Sequence, residues 1–474
     1  MWLLLSAFAN ADDFGLTIAP QVAIDLRDDR PGEDQVEMYT WMRMWAAGQD
    51  RDLRWFLEAR ALHLILVGDD TESIIGPAVG ETGVEAPIGP TYLRAGLLIE
   101  RWGRLDLLPV ADLLNGRDLR VGPQVPAELA RLPAPMARLQ LPTDWGAVEV
   151  VWLPVPATGR TSPLGTDWSL VRQGMLEGLI DDVSTYEGDA LTEETLQDTI
   201  VGFGELFEQL NPWTRWSLSE ALGVAGLPPA TGIGSDIAGR VEFGQGRFDG
   251  AVFGGLIRSR LVAPTLNETL VVYIQEERLP TISEQEAVLE ELSQPADVIA
   301  PKAAVAGAEI GGLIGPIGVR AEGVWRSSVI VTQPWLQATE RPQLSTGVGV
   351  DYARGSWLFV VESSWTHLFD PPEALLLQAA DQLQIAGGIQ GSVLRDRMSV
   401  RLGGLFDLTF REFSVQPAVT YRLSDAVELS GGFTVIESPE QAPRTFQEAA
   451  TFQGGPLGYT EDNDYVQFGV KWIR

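Results

Sequence analysis

Near the end of the chain, Val466, Phe468, Val470 and Trp472 fall on one face of an extended segment, and Tyr465, Gln467, Gly469 and Lys471 fall on the other. A period of two predicts a β-strand with one apolar and one polar face. The pattern recurs upstream. Val427, Leu429, Gly431, Phe433 and Val435 alternate with Glu428, Ser430, Gly432 and Thr434, and Leu344, Thr346, Val348, Val350 and Tyr352 alternate with Ser345, Gly347, Gly349 and Asp351. A soluble sandwich carries the same period, so the aromatic positions decide between the two. On 356–367, Trp357 and Trp365 share a face with Phe359 and Val361. At ~3.3 Å per residue and a ~40° tilt the two rings lie roughly 20 Å apart along a membrane normal, about the height of an apolar belt between aromatic girdles. Trp357, Trp365, Phe468 and Trp472 are the expected girdle residues.

Connection lengths supply the topology. In membrane barrels the periplasmic turns are short and the outer loops long. Counting back from the C-terminus, short connections at 422–426, 394–398, 353–356, 315–318, 244–247 and 142–146 alternate with long ones at 437–464, 368–380, 326–342, 261–300 and 156–234. A strand at 80–88, turning at Ile88-Gly89-Pro90, completes the parity. The expected strands are 14–26, 35–48, 52–67, 80–88, 91–102, 134–142, 146–155, 235–245, 247–259, 301–313, 316–328, 342–353, 356–367, 381–394, 397–409, 412–422, 426–437 and 464–474. The fold class is therefore all-β, a membrane-spanning antiparallel barrel of about eighteen strands, with sixteen as the alternative, formed by one domain over 12–474. Its helical extracellular or luminal insertions are expected near 103–134, 156–234 and 261–300. Leu196, Ile200, Phe203, Phe207 and Leu210 have helical spacing, and Ser283 with Glu286 has capping-box spacing before Val288 and Leu289.

Composition narrows the function classes. The chain has no Cys and only two His, so no thiolate metal site, disulfide framework or cofactor is expected. The balance of 34 basic against 65 acidic residues, a formal charge of -31, argues against nucleic acid as a partner. No apolar run is long enough for a transmembrane helix. Residues 1–11 read as a signal peptide, truncated at its start, with Ala9-Asn10-Ala11 as cleavage site. Export to the outer membrane of a Gram-negative bacterium follows, with outer-membrane lipid, lipopolysaccharide and the barrel-assembly machinery as expected partners.

The run Glu100-Arg101-Trp102-Gly103-Arg104-Leu105-Asp106, followed by Val110-Ala111-Asp112-Leu113-Leu114-Asn115-Gly116-Arg117-Asp118-Leu119-Arg120 and then Leu132-Pro133, resembles a signature of large porin-like outer-membrane barrels related to the alginate-export group. In that family a strand bearing Trp-Gly-Arg-x-Asp leads into a loop with Asn-Pro-x-Asp and Asn-Pro-Arg-Asp elements. Here Gly116 replaces the second element's Pro, and the first element lacks its Asn-Pro. The resemblance spans about forty residues and implies the fold rather than a substrate.

That loop has the composition of a pore constriction. Arg101, Arg104, Arg117 and Arg120 alternate with Asp106, Asp112 and Asp118. Such charges either face one another across the lumen and set a transverse field, or pair locally and pin the loop to the wall. Arg94 and Glu100, Arg240 and Glu242, and Arg320 and Glu322 are the expected lumen-wall residues. Their mixed signs do not form the arginine ladder that a polyanion would call for. No catalytic site is expected, because His63 and His367 read as interfacial residues. Alternation starting at Leu16, Ile18 and Pro20 leaves no plug domain for an energy-coupled receptor. The function expected is passive passage of small hydrophilic solutes. The alternatives are a polysaccharide export conduit working with periplasmic partners, and a plugged barrel anchoring an envelope assembly.

Overall fold

A computed structural model of the chain describes residues 13–26, 36–67, 71–118, 130–155, 159, 175, 235–260, 263–266, 268–276, 296–299 and 301–474. Its strands are β1 (Asp13–Asp25), β2 (Val36–Asp50), β3 (Leu53–Val67), β4 (Thr71–Val79), β5 (Thr82–Ile88), β6 (Thr91–Leu98), β7 (Ala134–Thr143), β8 (Gly146–Leu153), β9 (Asp236–Gln245) and β10 (Phe248–Arg258). After a short hairpin of β11 (Ala263–Leu266) and β12 (Ala296–Ile299) come β13 (Lys302–Ile314), β14 (Ile317–Gln333), β15 (Gln337–Arg354), β16 (Trp357–Leu368), β17 (Asp381–Val393), β18 (Met398–Asp407), β19 (Glu412–Ser424), β20 (Val427–Glu437) and β21 (Tyr465–Ile473). The described helices are α1 (Glu268–Glu276), α2 (Phe446–Ala450) and α3 (Pro456–Tyr459).

Sequential antiparallel pairing closes when β1 meets β21, with Gln21 opposite Gly469 and Ile24 opposite Val466. β4 and β5 form one stave, since both pair with β3. Ala59 faces Val79 whereas Phe56 faces Gly83, so one extra residue is accommodated at Gly80-Glu81, a β-bulge. The result is a closed antiparallel barrel of 18 strands. The short turns gather at one end together with the first and last described residues, Asp13 and Arg474. Gly315 (φ 64°) and Gly355 (φ 61°) each open a two-residue hairpin turn, a backbone region costly for any residue with a Cβ.

The faces follow the sequence parity. Val348, Val361 and Phe468 are 57%, 56% and 57% exposed, and Trp357 and Trp365 share the outer face of β16 with Val361. Such a continuous apolar exterior on a sheet without edges is stable only against hydrocarbon, so these strands cross a membrane. No described helix is long and apolar enough to cross one. The inner face of β15 carries Ser345, Gly347, Gly349 and Asp351.

Three boundaries differ from the sequence reading. β6 ends at Leu98, so Glu100 belongs to the following loop rather than to a wall strand. The segment expected as a long loop at 326–342 is a hairpin, because β14 and β15 continue to Gln333 and Gln337 across a bulge between Arg326 and Val329. In 261–300 the described helix is α1; the helix expected after Ser283, like the one expected over Leu196 to Leu210, lies outside the described residues.

Candidate lumen constriction

Beyond Leu98 the described residues 99–118 turn into the barrel interior, and the next wall strand begins at Ala134. Its apolar side chains drive this. Trp102, Leu105, Val110, Ala111, Leu113 and Leu114 are buried against inner-wall residues including Met136, Val151, Ala238, Phe253, Val305 and Val324. Trp102 stacks obliquely on Phe253 at 5.4 Å. Gly347 and Gly349 leave the space that Leu105 fills, for a Cβ there would sit 2.4 and 2.8 Å from its methyls.

A loop buried this way needs partners for its backbone polar groups. Three inner-wall glutamates supply them. Gly103 N–H donates to Glu309 of β13 (2.7 Å). Arg104 (2.6 Å), Leu105 (3.3 Å), Val110 and Ala111 (3.1 Å) donate to Glu322 of β14. Asp106 (2.9 Å), Leu107 (2.7 Å) and Leu108 (2.9 Å) donate to Glu362 of β16. Every backbone N–H from Gly103 to Ala111 is thus taken by a wall carboxylate, and Pro109 is the residue that has none to offer. Gly103 (φ 95°) is required here, since a Cβ would lie 2.7 Å from Glu322 Oε2.

Arginines take the carbonyls. Arg320 Nη1 donates to Arg104 O (2.8 Å) and to Asp106 (2.5 Å), Arg326 donates to Val110 O (2.8 Å), and Arg260 donates to Leu113 O (3.0 Å). The legs of the loop are stapled by Asn115. Its Oδ1 accepts from Glu100 N–H (2.8 Å) and its Nδ2 donates to Leu98 O and Leu132 O (both 2.9 Å). Trp102 Nε1 reaches Glu149 of β8 (3.0 Å). Contacts that run from β8 through β10, β13, β14 and β15 to β16 lay the loop along one side of the inner wall.

The predicted charged residues are therefore mostly neighbours of each other. Arg101 pairs with Asp106 at 2.7 Å, and Arg117 with Asp112 at 3.0 Å. Arg104 reaches Asp249 at 2.5 Å and Glu309 at 3.5 Å. Asp118 N–H donates to Ala130 O (2.6 Å), and Arg120 lies outside the described residues. Of the two arrangements open to the loop charges, local pairing is the one present at Arg101–Asp106 and Arg117–Asp112. Among the wall candidates, Arg94 joins Glu81, Glu85 and Glu100, Arg240 joins Glu242 and Glu309, and Glu322 holds the loop. Burial pushes the Glu100 carboxyl above its ordinary range, against Arg138 and Arg94. Burial also pushes Asp106 upward, but hydrogen bonds from Arg320 and Arg101 outweigh it and hold that carboxyl below the usual range.

Sequence reasoning missed Glu149, Glu309 and Glu362. The available signal was an acid at an inner-parity position of a strand otherwise built from small or apolar residues, such as Val148-Glu149-Val150 or Ala308-Glu309-Ile310. A second inserted segment repeats the device. Gly455 and Leu457, at the start of α3, donate to Glu412 of β19 (2.6 and 3.1 Å). Of the two histidines, His63 lies opposite Thr40 on β3, and His367 contacts Asp381 (2.8 Å) and stacks with Trp365 at 5.7 Å.

No family model matches the chain, so the alginate-export resemblance of 101–138 finds no counterpart there. No curated protein matches it either. Among solved structures it is similar to OccAB4 of Acinetobacter baumannii (7% identity, TM-score 0.47, 97% of each chain covered). It is also similar to OccK5 (OpdH) of Pseudomonas aeruginosa (9%, 0.46, 98% of each) and to the outer membrane protein OpdK of Pseudomonas aeruginosa (7%, 0.44, 98% of this chain and 99% of that one). The strand ladders and the apolar exterior carry the assignment by themselves: the chain is an outer-membrane β-barrel of 18 antiparallel strands.

Proposed function

We propose that the protein is a passive outer-membrane channel for small hydrophilic solutes, with the 99–133 loop narrowing its lumen. A barrel of about eighteen strands is wider than its own side chains can fill. The observation that carries the reading is the complete capture of the Gly103–Ala111 backbone by Glu309, Glu322 and Glu362, which holds the loop against one side of the inner wall. A segment whose donors are all satisfied within the barrel is built to stay there, as a constriction must.

Among the described residues of this loop, Arg101, Asp106 and Arg117 are the exposed charges, and they set the local charge that a passing ion meets. The resemblance of 101–138 to the alginate-export barrels enters this proposal only as a channel architecture, because the wall charges are mixed and mutually paired. The purified protein in a planar bilayer should carry steady ion current. Neutralising Arg101 or Asp106 should alter its ion selectivity. Absence of current, together with a stably co-purifying envelope partner, would favour an anchoring barrel instead.

A further inference from the structure

The lipid-facing rows of the strands carry few charges, and one pair of cations interrupts them. Ile257 of β10 and Ala303 of β13 are buried in the interior core, so their chain neighbours Arg258 and Lys302, opposite each other in the ladder, face outward. Both lie at the loop end of their strands, away from the short turns. Among the described strand residues they are the only lipid-facing lysine and arginine at that end; Arg354, on the same parity, adjoins the short turn at Gly355. Among the described residues neither cation meets a carboxylate. The Arg258 guanidinium makes no hydrogen bond or ion pair, and its Nε is buried without a partner. Arg260 is tied to Asp236 at 2.9 Å, so that acid is already taken. Lys302 Nζ donates to the Ser235 carbonyl at 2.5 Å, which uses one of its three donors and leaves its charge unmatched.

Below the pair the outer wall is furrowed. The outward residues of β13 are Ala304, Ala306 and Ala308, and their ladder neighbours include Gly254 of β10 and Gly323 of β14. Leu256 and Val252, both 49% exposed, stand along one side, and Trp325 stands on the other. The floor of small residues runs about 13 Å along the strand, directly beneath Lys302.

We infer that this is a binding site for a phosphorylated glycolipid of the outer leaflet, the lipid A part of lipopolysaccharide. Arg258 and Lys302 grip a headgroup phosphate, and the β13 furrow takes one acyl chain. A guanidinium presents paired donors to phosphate oxygens, and an ammonium beside it adds a point charge. A half-buried arginine without a counter-ion is costly, and a phosphate held there offsets that cost. The order of the two features along the wall, cations at the headgroup level and small apolar residues below, is the order of the two parts of such a lipid. In a chain of formal charge -31, a cation pair free of acids matches an anion from outside the chain. Such a site serves a sealed barrel as well as a conducting one.

The test titrates the full chain, purified in neutral detergent, with lipid A, with lipid A stripped of its phosphates, and with phosphatidylglycerol, and reads the bound fraction by native mass spectrometry. Lipid A should bind saturably and more tightly than either of the others. Arg258→Gln combined with Lys302→Gln should weaken it about ten-fold or more. Ala306→Trp, which fills the furrow and leaves both cations in place, should weaken it as well, whereas Arg354→Gln at the opposite end should not. Should the double variant not fold, Ala306→Trp and the dephosphorylated lipid remain decisive. Equal binding of dephosphorylated lipid A, equal binding of phosphatidylglycerol, or undiminished binding by the folded double variant overturns the inference and leaves the channel reading untouched.

Discussion

Arg104 N–H donates to Glu322 at 2.6 Å across 218 residues of sequence, tying a luminal loop to a strand on another part of the barrel. Glu322 also receives Leu105, Val110 and Ala111, whereas Asp106, Leu107 and Leu108 belong to Glu362. The division makes the loop's anchoring separable, residue by residue.

Amide hydrogen exchange reads that division. Glu322→Gln replaces one acceptor oxygen by a donor and should cost about 2–4 kcal/mol locally. Exchange should speed up at Arg104, Leu105, Val110 and Ala111 and stay slow at Leu107 and Leu108. Uniform acceleration over 103–111 would mean that the loop opens as one unit.

Steric room for the loop depends on glycine. In Gly347→Ala the new Cβ would sit 2.4 Å from Leu105, so the loop must move and the current should become larger or noisier. Leu105→Ala removes the clash. The double variant should therefore be less perturbed than the two single effects summed, a non-additivity that single-channel recordings would measure. Additive effects would separate Leu105 from Gly347.

Acid should act in two opposed steps. Asp106, held below its ordinary 3.8, binds fewer protons in the docked loop than when free, so its contribution is present above that value and lost as pH falls through its lower native value. Glu100, raised above 4.5, binds more, so its cost appears as pH climbs from 4.5 through its native value. Protease nicking of the loop should thus lessen on mild acidification from neutrality and increase only below the ordinary Asp range. Glu100→Gln should remove the first step alone. Nicking that rises steadily from pH 7 downward contradicts the assignment.

Face parity has its own test. Val348→Arg places a charge on the outer belt, where a mid-membrane position costs about 2–4 kcal/mol, while Gln416→Arg on the inner face should cost little. The gel shift between folded and heat-unfolded barrel, followed against temperature, would report the difference. Equal tolerance at both positions would reverse the assignment of faces.

Much of this fold was legible because a membrane barrel writes its environment into every strand with period two, and because turn lengths alternate. The expected strand at 412–422 and the observed β19 (Glu412–Ser424) differ by two residues at one end. Legibility failed where a bulge reverses parity. Beyond Arg326 the faces exchange, so Val329 and Val331 no longer continue the earlier stripe, and the extended hairpin read as loop. The bulge at Gly80-Glu81 hid β4 in the same way. At the constriction, the loop's own charges were visible but their partners were not. Which distant strand offers Glu309, Glu322 or Glu362 to a given N–H depends on barrel closure and on where the loop lies against the wall, and local pattern carries neither.

The most direct test replaces the loop at 99–133 by a short Gly/Ser link and compares its single-channel conductance with that of the intact protein. The account predicts steady current through both and a clearly larger one without the loop. Equal currents, or none through either, would contradict the claim that this loop narrows an open lumen.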